Sequence, residues 1–155
     1  MPVQGVPVSA LQDTFSDARD GGRRGHQALD IPAPRGTPVL AVDDGHIAKL
    51  FTSKPGGLTI YHFDSTRRHS YYYAHLDRYA EALREGMPVR RGQLLGYVGS
   101  SGNASPDAPH LHFAVFRLEP GHRWWEGDPV DPLPLLRGSS SAWERSPPTS
   151  KALIY

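Results

Sequence analysis

His110-Leu111-His112-Phe113-Ala114-Val115-Phe116 opens by alternating imidazoles with apolar side chains. Side chains two apart in a strand share a face. His110 and His112 therefore point one way, while Leu111, Phe113 and Val115 point into the opposite layer. This is the signature of a half-buried strand with two imidazoles on its open face. Five other short runs rich in β-formers lie at 38–42, 46–51, 58–63, 70–75 and 93–98. Six such runs separated by turn residues predict an all-β fold, mainly antiparallel, with few short helices. The 16 Gly and 15 Pro are spread between the runs as punctuation. Asp44-Gly45, between the first two runs in chain order, predicts a hairpin turn. Helical signal is thin: residues 76–85 predict a short helix or turn ended by Gly86, and 9–17 predict a further turn.

Arg35-Gly36-Thr37-Pro38-Val39 is echoed by Glu85-Gly86-Met87-Pro88-Val89. Gly-x-Pro-Val suits a turn feeding a strand at a sheet edge, where the missing proline N–H does no harm. Coincident turn chemistry and internal duplication both account for the echo. Beyond Leu136, Gly138-Ser139-Ser140-Ser141 and Ser146-Pro147-Pro148-Thr149-Ser150 read as linker. The organisation expected is an N-terminal segment, 1–19, packing on a single domain at 20–137, followed by a Ser/Pro-rich tail at 138–155. Within that tail, Trp143 and the apolar end at 152–155 are the parts able to dock back.

A chain of 155 residues with 38% hydrophobic and 21% charged side chains suits one soluble globular domain with a core of its own. The net charge of +1, from 17 basic and 16 acidic residues, gives no electrostatic case for nucleic acid or an anionic membrane. Without cysteine, a disulfide scaffold and Cys-based zinc fingers are excluded. No apolar run is long enough to predict an integral membrane segment. The first residues, Met1-Pro2-Val3-Gln4-Gly5, lack the features of a secretory signal.

Imidazole and carboxylate are the ligands a borderline-soft divalent cation prefers, and three of them leave a tetrahedral site open to water. His110-Leu111-His112 and the pair His26 and Asp30 supply these groups. The four-residue spacing of that pair fits one face of an extended segment, since Pro32 and Pro34 exclude a long helix. His75 ends the run Tyr71-Tyr72-Tyr73-Ala74-His75, where Tyr71 and Tyr73 would share its face as a ring-lined cleft wall. His46, His62, His69 and His122 lack such pairing and read as surface or satisfied core residues. His62 and His69, which flank the turn at 64–67, are the two expected nearer the cleft. Trp124-Trp125 is expected to pack the C-terminal segment, with sugar or peptide stacking as the second reading.

Taken in order, the motifs resemble a known family. They are His26-x-x-x-Asp30, Ala33-Pro34-x-Gly36-Thr37-Pro38-Val39, Tyr73-Ala74-His75-Leu76, Gly92-Gln93-Leu94-Leu95-Gly96-Tyr97-Val98-Gly99 and Pro109-His110-Leu111-His112-Phe113. This series, over roughly residues 20 to 136, resembles the lysostaphin/LytM-type zinc endopeptidases of bacterial peptidoglycan. The resemblance implies one zinc ion per chain held by His26, Asp30 and His112. It also implies a zinc-activated water assisted by two catalytic histidines, His75 and His110. No HExxH glutamate is present, so a histidine takes its part. The implied fold is a mainly antiparallel β structure with a narrow groove, whose lipoyl-like hybrid relation would account for the echo. The implied substrate is a peptidoglycan peptide, at a periplasmic or secreted location, with a monomer favoured. Gln27-Ala28-Leu29 replaces the usual small Gly-containing spacer, and the approach at 101–109 is longer and more polar than in the staphylococcal enzymes. A pentaglycine substrate is therefore not carried over. The chief alternative is a catalytically silent LytM-like regulator binding cell-wall amidases. A lipoyl or biotin carrier would need a lysine at the tip Asp43-Asp44-Gly45-His46, which has none.

Overall fold

Alternation of buried and open side chains sets the long strands, and proline and glycine set their ends. The structure, a computed structural model, describes residues 1–19 and 24–138. A short 3-10 turn at Val8–Ala10 precedes β1 (Ala18–Arg19), β2 (Arg24–Gly25), β3 (Leu29–Pro32) and β4 (Pro38–Leu40). The long strands β5 (Gly45–Ser53), β6 (Gly57–Asp64) and β7 (His69–Tyr79) follow, then β8 (Pro88–Val89) and β9 (Leu94–Val98). β10 (His110–Arg117), β11 (Asp128–Val130) and the helix α1 (Pro132–Leu136) complete the order. Asp131 caps α1, its carboxylate accepting from the Leu133 N–H at 3.0 Å. Residues 139–155, with Trp143 and the apolar end at 152–155, lie outside the described residues.

Nine strands form one antiparallel sheet around the path β11-β10-β7-β6-β5-β8, and β1 and β2 pair separately. β10 is the axis of the site. One edge carries β7, while the other carries β3 opposite His110 to Phe113 and β11 opposite Val115 to Arg117. β9 continues along the end of β7 and pairs with β4. The main core collects Leu29, Val39, Ile47, Ile60, Tyr71, Tyr73, Leu76, Leu95, Leu111, Phe113 and Val115 on one side of the sheet. Burying one such aliphatic or phenyl side chain stabilises the fold by about 1.5–3 kcal/mol. On the other side Ala28, Tyr61, Tyr72, Ala74, Ala114 and Phe116 form a smaller cluster. Small alanines there leave space above the sheet.

Each of the six predicted runs contains a strand, and two expectations are corrected. Residues 76–85 hold turns at 81–82 and 85–86 but no helix: β7 runs on to Tyr79, because Leu76 is buried in the main core and Arg78 and Tyr79 pair with β9. Asp44-Gly45 is not a hairpin turn, since β4 pairs with β9 and β5 with β6 and β8. Gly45 instead lies against the Phe63 carbonyl, where no Cβ would fit. Trp124 packs on Tyr61 and Phe51 of the sheet, at ring distances of 4.8 and 5.3 Å, and the C-terminal tail expected to pack on it lies outside the described residues. The two echo copies adopt one local form. In each, an amide N–H (Thr37 or Met87) closes a turn onto the carbonyl three residues back, and a proline then opens a strand.

Candidate metal centre and catalytic cleft

β10 delivers its imidazoles as its alternation requires. His110 and His112 line an open cleft of about 300 Å³, while Leu111 and Phe113 are fully buried in the core behind. Antiparallel pairing sets Asp30 of β3 directly opposite His112 on one side and Ala74 of β7 on the other. Cross-strand partners share a face, so the Asp30 carboxylate projects beside the His112 ring and Ala74 leaves the opposite flank clear.

His26 arrives by a different route. It is not on a straight strand with Asp30: β2 ends at Gly25, β3 begins at Leu29, and Gln27 between them has φ 56°. The kink, rather than strand periodicity, brings His26 Nε2 back to 3.1 Å from Asp30 Oδ1. Residues 14–17 hold the kinked segment in place. The His26 and Gln27 N–H groups donate to the Asp17 and Phe15 carbonyls at 2.7 and 2.8 Å. The Thr14 hydroxyl accepts from the Asp30 N–H at 3.0 Å. His26 Nδ1–H donates to the Thr14 carbonyl at 2.9 Å, which leaves the Nε2 lone pair facing Asp30.

Three donor atoms thus face one another: His26 Nε2, Asp30 Oδ1 and His112 Nδ1. Their separations are 3.1, 3.2 and 3.5 Å. Ligands about 2.0–2.1 Å from a tetrahedral zinc ion lie about 3.3 Å from each other, so this triangle has the size of one face of a zinc tetrahedron. Burial alone would raise the Asp30 carboxyl, but the hydrogen-bonding imidazoles of His112 and His26 outweigh it and hold its pKa well below the usual carboxylate range. Burial lowers the pKa of His112 against the opposing pull of Asp30. A carboxylate and two imidazoles with lone pairs turned inward are the protonation states a cation needs. The residues fit the metal.

His75 and His110 stand on the rim of this triangle, their ring centroids 5.0 Å apart, and the His75 ring is 5.7 Å from that of His112. His75 reaches the cleft through a bulge. The register of β6 against β7 shifts between Leu58 and Ile60, so β7 holds an extra residue there, and His75 itself has φ 61°. Alternation is reset at this point, which corrects the expected wall. Tyr71 and Tyr73 belong to the main core, and Tyr72 and Ala74 line the cleft with His75. The turn joining β5 and β6 and the loop after Gly99 grip the bulged residue from two sides. Its N–H donates to the Gly56 carbonyl at 2.8 Å, and its Nδ1–H donates to the Ser101 carbonyl at 2.7 Å. Burial pushes its pKa down to about 4, so the ring is neutral at pH 7 with Nε2 as the acceptor. His110 Nδ1–H likewise donates to the Ala108 carbonyl at 3.0 Å, and its Nε2 lies 3.7 Å from Asp30 Oδ1.

Two glycines allow that grip. Gly57 (φ +66) and Gly102 (φ +75) meet backbone to backbone, so that a Cβ on either would collide with the other segment. Ser101 locks the joint, its hydroxyl donating to the Leu76 carbonyl at 2.6 Å and accepting from the Leu58 N–H at 3.1 Å. Beyond the joint, Asn103, Ala104 and Ser105 form one wall of the cleft, with Pro55 and Gly56 also lining it. Sequence reasoning missed Thr14, Ser101 and Tyr72. The first two act through backbone contacts that no side-chain pattern displays.

His62 and His69 do not approach the cleft. His62 is buried on the core face, where its Nδ1 lies 3.1 Å from the Tyr73 hydroxyl, and His69 pairs with Asp64 at 3.4 Å. His122 Nδ1 accepts from the Glu119 N–H at 2.9 Å.

Residues 24–132 match the peptidase family M23. The chain belongs to this family. Among M23 relatives, the L-Ala--D-Glu endopeptidase of Bacillus subtilis (strain 168) is 36% identical over 142 residues, covering 88% of this chain and 41% of that protein. The glycyl-glycine endopeptidase ALE-1 of Staphylococcus capitis is 31% identical over 115 residues, covering 74% of this chain and 30% of that protein. The chain therefore spans less than half the length of these curated relatives. Among solved structures, the catalytic domain of the antimicrobial peptidase lysostaphin from Staphylococcus simulans superposes with a TM-score of 0.69 at 28% identity. That match covers 84% of this chain and 96% of the lysostaphin domain. The mainly antiparallel β architecture is thus the M23 architecture.

Proposed function

We propose that this chain is a zinc-dependent endopeptidase that hydrolyses peptide bonds in peptidoglycan stems or cross-links, in the periplasm or outside the cell. One observation carries the reading: the donor triangle of His26, Asp30 and His112 has zinc-sized edges, and two further imidazoles stand on its open side. A zinc ion held there would supply a Lewis acid for the scissile carbonyl and lower the pKa of a water to about 7. The chain's own groups do the rest. His75, its Nδ1–H committed to Ser101, offers Nε2 to take a proton from the attacking water. His75 would return that proton to the departing amine as the C–N bond breaks, and His110, its Nδ1–H committed to Ala108, holds Nε2 over the same space, where it would stabilise developing negative charge once Nε2 is also protonated. The walls at 55–56 and 103–105 align an extended peptide and exclude bulk water.

The relatives named above are called after two different bonds, L-Ala--D-Glu and glycyl-glycine. That supports a common metal centre whose bond choice lies in the walls. The silent-regulator alternative is disfavoured, because all five candidate side chains are present and converge. The test is digestion of purified cross-linked muropeptides by the zinc-loaded wild type and by His110→Ala, read by mass spectrometry. Cleavage by the wild type alone is expected. Equal cleavage by both would remove His110 from the mechanism, and cleavage by neither, with zinc bound, would return the regulator reading.

A further inference from the structure

We infer that the end of the sheet remote from the cleft carries a second binding site, for the phosphate groups of a polyanionic chain. A cavity of about 900 Å³ lies between the turn joining β6 to β7 and the loop that follows β10. Arg67 and Arg68 line it from the turn, and Arg117 lines it from the end of β10. Arg117 lies seven positions along β10 from His110, a span of about 23 Å at strand rise. The site therefore shares no residue with the metal centre.

Among the described residues no carboxylate pairs with these three guanidiniums. The arginines that form ion pairs among the described residues are Arg35, Arg78 and Arg91. Nearby carboxylates are spent elsewhere. Asp64 accepts from the Thr66 hydroxyl at 2.8 Å and from the Arg68 and His69 N–H groups at 2.9 and 3.2 Å. Asp128 stands opposite Arg117 in register without forming an ion pair, and Glu119 is the remaining acid on the cavity wall. Arg117 Nε is buried and has no hydrogen-bond partner. No hydrogen bond or ion pair of the Arg117 guanidinium forms among the described residues, so the need is for an acceptor from the cavity that Arg117 lines. Arg67 points to the same need. It holds φ 57°, the left-handed region where glycine or asparagine costs less, so this turn keeps a cation at a backbone position that disfavours it.

The geometry selects the ligand. A carboxylate offers two coplanar oxygens to one guanidinium fork, whereas a phosphate presents oxygens in several directions and can engage arginines from two separate segments. The cavity exceeds a single ion, which favours a phosphodiester repeat over free phosphate. With a net charge of only +1 on the whole chain, attraction must come from this local cluster and not from the global field.

The test titrates the full chain with polyglycerol phosphate, inorganic phosphate and polyglutamate of matched length, by calorimetry at low salt. Polyglycerol phosphate should bind at one site. The double variant Arg67→Gln/Arg68→Gln, on an exposed turn, should weaken it about tenfold and flatten its salt dependence. Arg117→Gln should do the same with an unchanged circular dichroism spectrum. Zinc stoichiometry and muropeptide cleavage should be unaffected in the double variant, so the result stands apart from the endopeptidase reading. Inorganic phosphate binding as tightly as the polymer, and lost in the same variants, supports the site and assigns it to the free anion. Unchanged polymer binding by the double variant, or equal binding of polyglutamate, overturns the proposal.

Discussion

β10 and the segments that face it bring imidazoles to the same cleft by opposite means. β10 is regular: His110 and His112 project because every second residue must, and Leu111 and Phe113 anchor the strand from behind. His26 and His75 reach the cleft only because the backbone breaks its period beside or at them, through left-handed Gln27 and His75 itself. Neither residue is glycine. The contrast teaches that half of this site is held by burial of a strand's apolar face, and the other half by backbone strain clamped by hydrogen bonds.

The most damaging test strikes the regular half. His112→Ala should abolish zinc retention, from about one ion per chain to none, and lower kcat/KM by more than about 1000-fold. Metal analysis of the purified variant checks this directly, and full zinc occupancy would break the assignment of His112 as a ligand. Next, His75→Ala should keep its zinc yet lose about 100- to 10,000-fold in kcat. Zinc loss in that variant would make His75 a ligand instead.

Burial by itself is sharpened by a histidine outside the cleft. His62 lies on the core face of the same sheet, where burial pushes its pKa down to about 4, against an ordinary value of 6.5. The unfolded chain therefore binds a proton as pH falls below about 6.5, while the folded chain resists until about 4. Stability present above that window should be lost within it, by on the order of 2–3 kcal/mol for this group. Denaturant titrations of wild type and His62→Asn across the window isolate the effect, and parallel pH curves would refute it.

The backbone and loop that support the strained half yield smaller numbers. Gln27→Val, which a left-handed backbone tolerates poorly, should cost about 1–2 kcal/mol of stability and weaken zinc binding, while Gln27→Gly should leave both nearly unchanged. Ser101→Ala should lower kcat about tenfold with KM held, because it loosens the loop whose carbonyl fixes the His75 tautomer. The ring nitrogen shifts of His75 in NMR spectra report that tautomer, and Ser101→Thr should restore it.

The same contrast explains what was legible in the sequence. The six runs of β-formers all contain strands, and His110, His112 and the chemistry of Asp30 could be read from alternation and ligand type. The resemblance supplied the rest of the five-residue set, which the fold gathers in one cleft. Tyr71 and Tyr73 were misplaced because the bulge at His75 resets the period, and a bulge is set by the partner strand. The hairpin at Asp44-Gly45 failed since turn chemistry is local, whereas β4 and β5 find partners far along the chain. Residues 76–85 admit a helix or a turn by composition, and only turns form, because the main core claims Leu76 and β9 pairs with Arg78 and Tyr79.

The meeting of Gly57 with Gly102 has a consequence for how such a protein can change. His75, the proposed general base, is steadied by main-chain atoms on the near side of that joint, whereas Asn103, Ala104 and Ser105, which would meet the substrate, lie on the far side. Loop residues can be exchanged while the proton-handling ring keeps its tautomer and its place. Selectivity and reactivity are thereby uncoupled, and one scaffold can be retuned to new bonds without rebuilding its chemistry.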